Sequence, residues 1–317
     1  MPHTLQEFHA DFSQHCRFNR ELSTVTLRAY RASFALLLRR YPNLTAEMLT
    51  PETLTDYFEW LRTTSRSSRQ PADQRVKPST LLSHWRRLSV FFDWLKSKHV
   101  LGTNPLKEDG MVPPKVRYED RQYLDRSQVE KIVSAIAFGI RWQSRLIRTR
   151  NLALISIAVN CGLRRGELLG LKLTDLDMQH NLIRVRGETS KSRSGRMIPL
   201  NSYARHHLDD YLAERQALHY QTQYLWVSSN RDGRLTVEGL RRLVSQVARK
   251  SGVPFHMHQF RHTFAMNFLT NSGSNVFKLK SLLGHRSIVS TAIYTRCIPV
   301  DAVRGDLEKI GDLENML

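Results

Sequence analysis

The sequence has few cysteines and no long apolar run. Its three cysteines, Cys16, Cys161 and Cys297, lie far apart and none belongs to a C-x-x-C pair, which disfavours a disulfide framework and a structural zinc site. No apolar run approaches the roughly 18 residues that cross a bilayer, and the first residues lack the layout of a signal peptide. We therefore expect a cytoplasmic protein with no membrane segment.

Several catalytic motifs are also absent. The sequence contains no G-x-x-x-x-G-K-[ST] phosphate loop, no G-x-G-x-x-G, no G-x-S-x-G and no H-E-x-x-H. His256, His258 and His262 cluster without nearby cysteine or carboxylate partners, so we expect no metal site. The acidic residues are scattered, which disfavours two-metal phosphoryl transfer. An enzyme acting on phosphates would have to use side-chain cations, and no cofactor is predicted.

What the sequence does contain is an excess of basic residues. The 48 Lys and Arg residues against 29 Asp and Glu give a formal net charge of +19. Basic residues outnumber acidic ones on both sides of residue 107. Such a surface attracts a polyanion, for which nucleic acid is the favoured candidate and an anionic membrane the alternative.

The length of 317 residues predicts two domains. Four amphipathic helices are predicted within residues 1–107, which would form an all-α domain. Residues 108–121 lack helical or strand periodicity and are predicted to be a linker. Residues 122–299 are predicted to form an α+β domain in which one hairpin lies among helices, and residues 300–317 form a tail with apolar residues at near-helical spacing. The predicted fold class is mainly α with a small antiparallel β component.

Local signals place several helix boundaries. Asn104 and Pro105 are expected to stop the fourth helix. Asp125, with Gln128 three residues later, has the form of a capping box that opens the next helix. Gly162 is expected to end an apolar, buried helix.

Residues 62–78 form a polar and strongly basic stretch between the third and fourth helices, predicted to be a loop. Its cations, with two arginines of the following helix, are expected to contact DNA phosphates. A solvated loop without such contacts is the alternative. The predicted DNA-binding residues are Arg62, Arg66, Arg69, Arg75, Lys77, Arg86 and Arg87.

Three short motifs place charged groups at helix ends. In G-L-R-R-G-E, a glycine ends a helix and Arg164 follows, with Glu167 three residues later able to orient its guanidinium. In H-Q-F-R-H, His258 and Arg261 can point the same way from a helix N-terminus, which favours anions. L-L-G-H places His285 just past a helix end, and I-Y-T follows. Each motif alone is weak, since a solvated arginine or a capping histidine explains it equally well.

The combination is more specific than its parts. In chain order, G-L-R-x-x-E, a hairpin lysine, H-x-x-R-H, L-G-H and I-Y-T resemble the catalytic signature of the tyrosine recombinases, the phage integrase family. The resemblance covers essentially the whole chain, since the helical N-terminal domain resembles that family's core-binding domain and residues from about 122 onward resemble its catalytic domain. It implies a catalytic set with Tyr294 as nucleophile, Glu167 as a supporting residue and a lysine placed eight residues before the proline of the second hairpin strand. The implied catalytic residues are Arg164, Lys191, His258, Arg261, His285 and Tyr294.

The implied chemistry explains these residue types. Attack on a phosphodiester places negative charge on its non-bridging oxygens, which two arginines and two imidazoles can stabilise without a metal. A tyrosine with a pKa near 10 is only about 0.1% ionised at pH 7, so another group must take its proton or hydrogen-bond strongly to it during the attack. His258 is expected to take its proton, His285 to donate a hydrogen bond to the phosphate, and Lys191 to protonate the departing 5′ oxygen. The expected product is a 3′-phosphotyrosine with a free 5′-hydroxyl, which can be reversed without ATP.

The resemblance implies a site-specific recombinase that acts on double-stranded DNA as a homo-tetramer, through a four-way junction, in integration, excision, resolution or transposition of a mobile element. The two basic domains could close around the duplex, in the bacterial nucleoid. Residues 300–317 are expected to dock on a neighbouring subunit rather than on their own domain. Two alternatives stay open: a type IB topoisomerase-like enzyme or hairpin resolvase, and a DNA-binding regulator without catalytic activity.

Overall fold

A computed structural model describes residues 4–63, 76–116, 123–189, 195–271 and 275–297. The chain divides into two compact units, Met1–Glu119 and Asp120–Leu317. The division falls inside the segment predicted as a linker, and the predicted domain limits stay predictions. Within the described residues no helix is long and apolar enough to cross a membrane.

The described part of the first unit contains helices and turns but no strand. Its helices are α1 (Leu5–Phe18), α2 (Thr24–Arg40), α3 (Pro51–Thr63) and α4 (Pro78–Ser97), followed by a 3-10 turn at Pro105–Lys107. Apolar residues at helical spacing from all four helices form one core, in which Leu37, Leu54 and Phe92 are fully buried. His9 belongs to this core, stacked on Phe34 with ring centroids 4.1 Å apart, and burial lowers its pKa to about 4. It is therefore a neutral core residue at physiological pH.

The predicted end of the fourth helix is wrong. Helix α4 ends at Ser97, and Asn104 with Pro105 instead opens the 3-10 turn. The Asn104 side chain accepts a hydrogen bond from the Leu106 backbone N at 3.0 Å and donates to Asp93 Oδ1 at 2.8 Å. These bonds hold the turn against α4. The Asn-Pro pair therefore marks the start of a turn that packs on α4, and the end of α4 lies earlier in the chain.

The second unit combines helices with one small sheet. Its helices are α5 (Arg126–Ser134), α6 (Arg145–Cys161), α7 (Arg165–Leu169), α8 (Ser202–Ala217), α9 (Val237–Ser251), α10 (Met257–Asn271), α11 (Val276–Leu283) and α12 (Val289–Ala292). A π-helical turn, Ala135–Gly139, follows α5, and 3-10 turns lie at Leu173–Asp175, Gly187–Thr189 and Ile293–Cys297. The capping box at Asp125 is present, since Gln128 N donates to Asp125 Oδ1 at 2.8 Å and Asp125 N donates to Gln128 Oε1 at 3.1 Å.

The sheet is antiparallel with strand order β1 (Leu176–Asp177), β2 (Leu182–Val185) and β3 (Arg196–Pro199). Strands β2 and β3 are the predicted hairpin, with Ile183 paired to Ile198 and Val185 to Arg196. Ile183, Val185 and Ile198 are buried, as alternation predicts for a sheet with one face on the core. Strand β1 was not predicted, because two residues are too few to show alternation.

Helix α6 forms the centre of the second unit. It is apolar nearly all round, and Leu154, Ile155 and Ile157 are fully buried although they point to different sides. Helices α8 and α10 pack against it. The fold class predicted from the sequence, mainly α with a small antiparallel sheet, is confirmed. The rigid α6 also fixes the position of the turn that follows its C-terminal end, where the candidate site lies.

Candidate active site

Arg164 follows the C-terminal end of α6, where the chain turns sharply. Gly162 closes the helix with φ 59° and ψ 28°. A Cβ on Gly162 would lie 2.3 Å from a ring carbon of Phe264. Only glycine satisfies both the left-handed backbone and the close ring. Arg164 is then the N-cap residue of α7, so two helix ends fix the place from which its side chain leaves the backbone.

The buried carboxylate of Glu167 links two arginines. Its side chain is 1% exposed and accepts hydrogen bonds from Arg164 Nη1 at 2.8 Å and the Arg164 backbone N at 2.9 Å. Arg196 donates from Nη2 at 2.8 Å and from Nη1 at 3.2 Å. Burial raises the pKa of Glu167, but the bonds and charges of Arg196 and Arg164 outweigh it, so the pKa lies below its ordinary value. The Arg164–Glu167 contact was expected from the sequence, whereas Arg196 was not singled out.

Replacing Glu167 by Gln is expected to lower the free energy of unfolding by roughly 3 kcal/mol at neutral pH, because the buried guanidinium of Arg196 and the half-buried one of Arg164 lose their anion. The folded-state pKa of Glu167 is lowered, so its contribution is fully present above the unfolded pKa and is lost as the pH falls through the folded pKa. Urea unfolding from about pH 7 down to about pH 3 measures this. The difference in the free energy of unfolding between wild type and variant should be constant at neutral pH and become smaller in acid.

The matched control for that experiment is Glu130→Gln. It removes the same charge from an exposed ion pair, in which Arg126 Nε lies 2.8 Å from Glu130 Oε1. That pair should contribute little to the free energy of unfolding. A Glu167→Gln difference that is as large in acid as at neutral pH would contradict the buried-anion role.

The C-terminal end of α11 gathers three arginines. The last carbonyl groups of a helix have no partner within it, and here three successive ones each accept a hydrogen bond from a different guanidinium. The pairs are Arg196 Nε to Leu282 O at 2.6 Å, Arg261 Nη2 to Leu283 O at 2.7 Å and Arg164 Nη2 to Gly284 O at 3.3 Å. Gly284 has φ 63°, and a Cβ there would lie 2.9 Å from Arg196 Nη1. The helix end thus brings together groups from β3, from α10 and from the turn after α6.

Arg261 lies buried within this cluster. It is 1% exposed, its Nη1 donates to Gly162 O at 2.7 Å, and its Nη2 lies 2.9 Å from His285 Nε2. Burial, and then the positive charge of Arg164, lower the pKa of Arg261 to about 9. The guanidinium is therefore still charged at neutral pH and places a positive charge in a poorly solvated site.

The contacts of His285 define the position of its ring proton. A guanidinium only donates, so His285 Nε2 accepts from Arg261 and the proton lies on Nδ1. Nδ1 lies 2.8 Å from Oγ1 of the buried Thr291. Both ring nitrogens are thus engaged within the protein. His285 is expected to donate a hydrogen bond to a phosphate. For Nε2 to be the donor, it must gain a proton and lose its contact with Arg261. The alternative is that the ring turns.

Tyr294 is held by its ring and by its hydroxyl. It lies in the 3-10 turn Ile293–Cys297, and its side chain, 2% exposed, packs in a small apolar cluster with Leu269 and Leu283. Its Oη lies 2.8 Å from Nδ1 of His262, which is 6% exposed. His262 was considered from the sequence only as a metal ligand and is not among the predicted catalytic residues. The final H of H-x-x-R-H was the signal that could have found it.

His258 differs from His262 in its surroundings. Its side chain is exposed in the first turn of α10, and its ring meets that of His262 edge-on, with centroids 4.5 Å apart. With Arg164 it lines a cleft of about 810 Å³, which Arg241 of α9 also lines. The role of proton acceptor expected for His258 stays a prediction, and the imidazole in contact with Tyr294 Oη is that of His262.

Some predicted residues lie outside the described part of the chain. Lys191 falls within residues 190–194, and the tail at 300–317 follows the last described residue. Of the predicted DNA-binding residues, Arg66, Arg69 and Arg75 fall within residues 64–75. Among the described residues, no group of three or more His, Cys, Asp or Glu side chains could hold a metal ion.

Arg164, Arg261, His285 and Tyr294 therefore lie in one site, which joins a buried positive charge to a tyrosine hydroxyl. That arrangement is the one that an enzyme transferring a phosphoryl group to tyrosine would need. Residues 122–298 match the phage integrase family, and the chain belongs to that family. The resemblance seen in the sequence is thereby confirmed, and the chain is a tyrosine-type site-specific recombinase that acts on DNA.

Relatives match most of the chain. The tyrosine recombinase XerC of Chromobacterium violaceum is 31% identical over 272 residues, covering 85% of this chain and 83% of that protein. XerC of Thermodesulfovibrio yellowstonii is 28% identical over 301 residues, covering 92% and 91%. XerD of Listeria monocytogenes is 28% identical over 293 residues, covering 90% and 92%.

Solved structures share the fold. The Tn1549 transposon integrase in complex with transposon right end DNA has a TM-score of 0.75 at 19% identity, covering 98% of this chain and 100% of that chain. The XerH site-specific recombinase bound to palindromic difH substrate has a TM-score of 0.72 at 17% identity, covering 97% and 85%.

Proposed function

We propose that this chain cuts DNA with Tyr294, forms a 3′-phosphotyrosine link, and exchanges strands between two sites through a four-way junction. The observation that carries the proposal is the cluster at the end of α11, where Arg164 and Arg261 each bind one of two successive carbonyl groups. Arg261 also contacts His285, and the next residue of α10, His262, holds Tyr294. Separate segments of the chain would thus supply the phosphate-binding groups and the nucleophile.

The two arginines would act differently on the phosphate. The side chain of Arg164 is 23% exposed and that of Arg261 is 1% exposed, so Arg164 is the one of these two cations that DNA can reach. Arg261 is buried and supplies positive charge where solvent screening is weak, which strengthens its effect on charge that develops in the transition state. Glu167 holds Arg164 in place through its buried carboxylate.

The proton transfers follow from the bonds that change. As Tyr294 Oη bonds to phosphorus, the bond to the 5′ oxygen breaks, and that oxygen needs a proton. Lys191 is the proposed donor. The tyrosine link keeps a phosphodiester bond, so the 5′-hydroxyl of a second strand can attack it and rejoin DNA without ATP.

In the first unit, a small basic cleft supports contact with DNA. Val76 N donates to Arg62 O at 3.3 Å, so Arg62 and Lys77 lie on neighbouring segments. Both line a cleft of about 380 Å³ together with Lys115. Arg86 is exposed on α4, whereas Arg87 is half-buried, with Nη1 3.4 Å from Ser33 Oγ. We propose that the cleft residues and Arg86 bind phosphates, with Arg87 more restricted by its contact to α2.

In the second unit, helix α9 presents basic side chains beside the active site. Arg241 and Arg242 are exposed, and Arg241 lines the same cleft as Arg164 and His258. Cations next to the scissile phosphate position the duplex through its backbone. Their place on α9 therefore supports DNA binding by this helix, which the sequence had not suggested. Association with the nucleoid would follow from DNA binding and stays a prediction.

The proposed assembly is a homo-tetramer on two DNA sites, with residues 300–317 docked on a neighbouring subunit. Deleting those residues should abolish cooperative assembly on DNA while leaving single-site binding intact, because the active site and the basic clefts are untouched. Gel-shift titrations on duplexes carrying one or two sites separate the two steps. Cooperative assembly that is the same with and without residues 300–317 would contradict docking on a neighbour.

Strand exchange itself can be tested with two labelled duplexes of different lengths. Their common site is first selected from a randomised duplex pool by binding to the full chain. The expected products join one label to the other through branched intermediates. Relaxation of a supercoiled plasmid that carries the site, without exchanged products from the duplexes, would instead support the topoisomerase-like alternative. Binding without any covalent adduct would support a regulator, and either result would overturn the proposal.

A further inference from the structure

We propose that His262, and not His258, takes the proton from Tyr294 when the tyrosine attacks DNA. The inference rests on the proposed function, since it assigns one step of that cleavage reaction. Its starting point is a single contact. Nδ1 of His262 lies 2.8 Å from Tyr294 Oη, within hydrogen-bonding distance of the atom that would form the bond to phosphorus.

Burial makes a protein base necessary at this position. The side chain of Tyr294 is 2% exposed and that of His262 is 6% exposed, so bulk water has little access to the hydroxyl. A phenol is almost entirely protonated at neutral pH. A neighbouring imidazole is the side chain whose ordinary pKa best suits proton acceptance under these conditions.

The spacing on α10 gives the two histidines separate tasks. His258, Arg261 and His262 occupy positions i, i+3 and i+4, which lie on one face of a helix. His258 is exposed and lines the cleft with Arg164, where a phosphate would enter. His262 is one turn further along and contacts the nucleophile. His258 is therefore placed to serve the phosphate, and His262 to serve the tyrosine.

The step balances as a proton transfer coupled to phosphoryl transfer. Neutral His262 carries its proton on Nε2 and accepts the phenolic proton at Nδ1 while Tyr294 Oη bonds to phosphorus. The bond between phosphorus and the 5′ oxygen breaks, and that oxygen takes a proton from the general acid, proposed above to be Lys191. In the rejoining step, the 5′-hydroxyl attacks phosphorus and gives its proton back to the now neutral Lys191, while His262 returns its proton to Oη as the bond between phosphorus and Oη breaks.

The test first replaces His262, the proposed proton acceptor, and then makes the phenol at position 294 acidic enough to ionise without an acceptor. His262→Asn keeps a polar group near the position of Nδ1 but cannot take up a proton, and it should slow single-turnover cleavage of a nicked suicide duplex by about 10²-fold. Incorporating 2,3,5-trifluorotyrosine at position 294 gives a phenol that ionises far more readily. In the His262→Asn chain this replacement should restore most of the lost rate. His258→Asn should also be slow, and the fluorinated tyrosine should not rescue it.

Three results would overturn the assignment. The first is that His262→Asn cleaves at the wild-type rate. The second is that His262→Asn cleaves slowly and the fluorinated tyrosine does not raise its rate. The third is that the fluorinated tyrosine raises the cleavage rate of His258→Asn and not that of His262→Asn. His219→Asn, at an exposed residue with φ 53° that asparagine tolerates, is the matched control and should cleave normally. If His262→Asn does not fold, His262→Gln takes its place under the same criteria. A wild-type chain that forms no adduct would refute the proposed function itself, which separates the two failures.

Discussion

A Tyr294→Phe variant is expected to bind its DNA site as tightly as wild type and to form no covalent adduct at all. The ring of Tyr294 packs in a cluster with Leu269, Leu279 and Leu283, and phenylalanine preserves that packing. The change removes the hydroxyl, and with it the 2.8 Å contact with His262. Stability should therefore fall by about 1 to 2 kcal/mol, the usual cost of losing one partner of a buried hydrogen bond.

Denaturing gel electrophoresis after incubation with a nicked suicide duplex measures the adduct, and gel shift measures binding. Tyr203→Phe is the matched control, since Tyr203 is 48% exposed on α8 and its loss of a hydroxyl should leave adduct formation unchanged. An adduct formed by Tyr294→Phe at any appreciable rate would show that another side chain is the nucleophile.

An Arg164→Ala variant should lose on the order of 10³ or more in cleavage rate, about 4 kcal/mol of transition-state stabilisation. The guanidinium of Arg164 is more exposed than those of Arg196 and Arg261. Its removal also leaves Arg196 as the remaining arginine bonded to Glu167, and Gly284 O loses its hydrogen bond from Arg164. Arg164→Lys should recover only part of the rate, because an ammonium group cannot reproduce the planar fork that bonds Glu167 and Gly284 O together.

Single-turnover kinetics at saturating DNA isolate this effect from binding. Arg148→Ala is the matched control, because Arg148 is exposed in the first turn of α6, at the other end of the helix that precedes Arg164. It should cleave at nearly the wild-type rate. A loss of less than tenfold in Arg164→Ala would count against the assigned role.

The sequence predicted those parts of the fold that depend on local signals. The capping box at Asp125 and Gln128 and the helix end at Gly162 are set by neighbouring residues, and both are present. The hairpin of β2 and β3 was predicted from alternation over a few residues. The helix end at Asn104 was wrong because the Asn-Pro pair signals a turn, and only the tertiary contact with Asp93 shows that the turn packs against α4.

The parts of the site that were missed depend on contacts between distant segments. Arg196 looks like an ordinary strand residue, and nothing near it in sequence indicates that it reaches Glu167, 29 residues earlier. His262 stands beside Arg261 in a recognised motif, but its partner Tyr294 is 32 residues away. Periodicity places a residue on one side of a helix, whereas the identity of its partner depends on how the helices pack.

The central claim is that the hydroxyl of Tyr294 becomes joined to a DNA phosphate, and mapping the covalent adduct tests it most directly. The adduct trapped on a nicked suicide duplex would be digested with nuclease and trypsin, and the peptide spanning residues 287–296 fragmented by mass spectrometry. That peptide also contains Ser287, Ser290, Thr291 and Thr295, so fragmentation distinguishes the tyrosine from other hydroxyls. The account predicts a 3′-phosphate on Tyr294 and a free 5′-hydroxyl on the released strand. A link to any other residue, or through a 5′-phosphate, would contradict it.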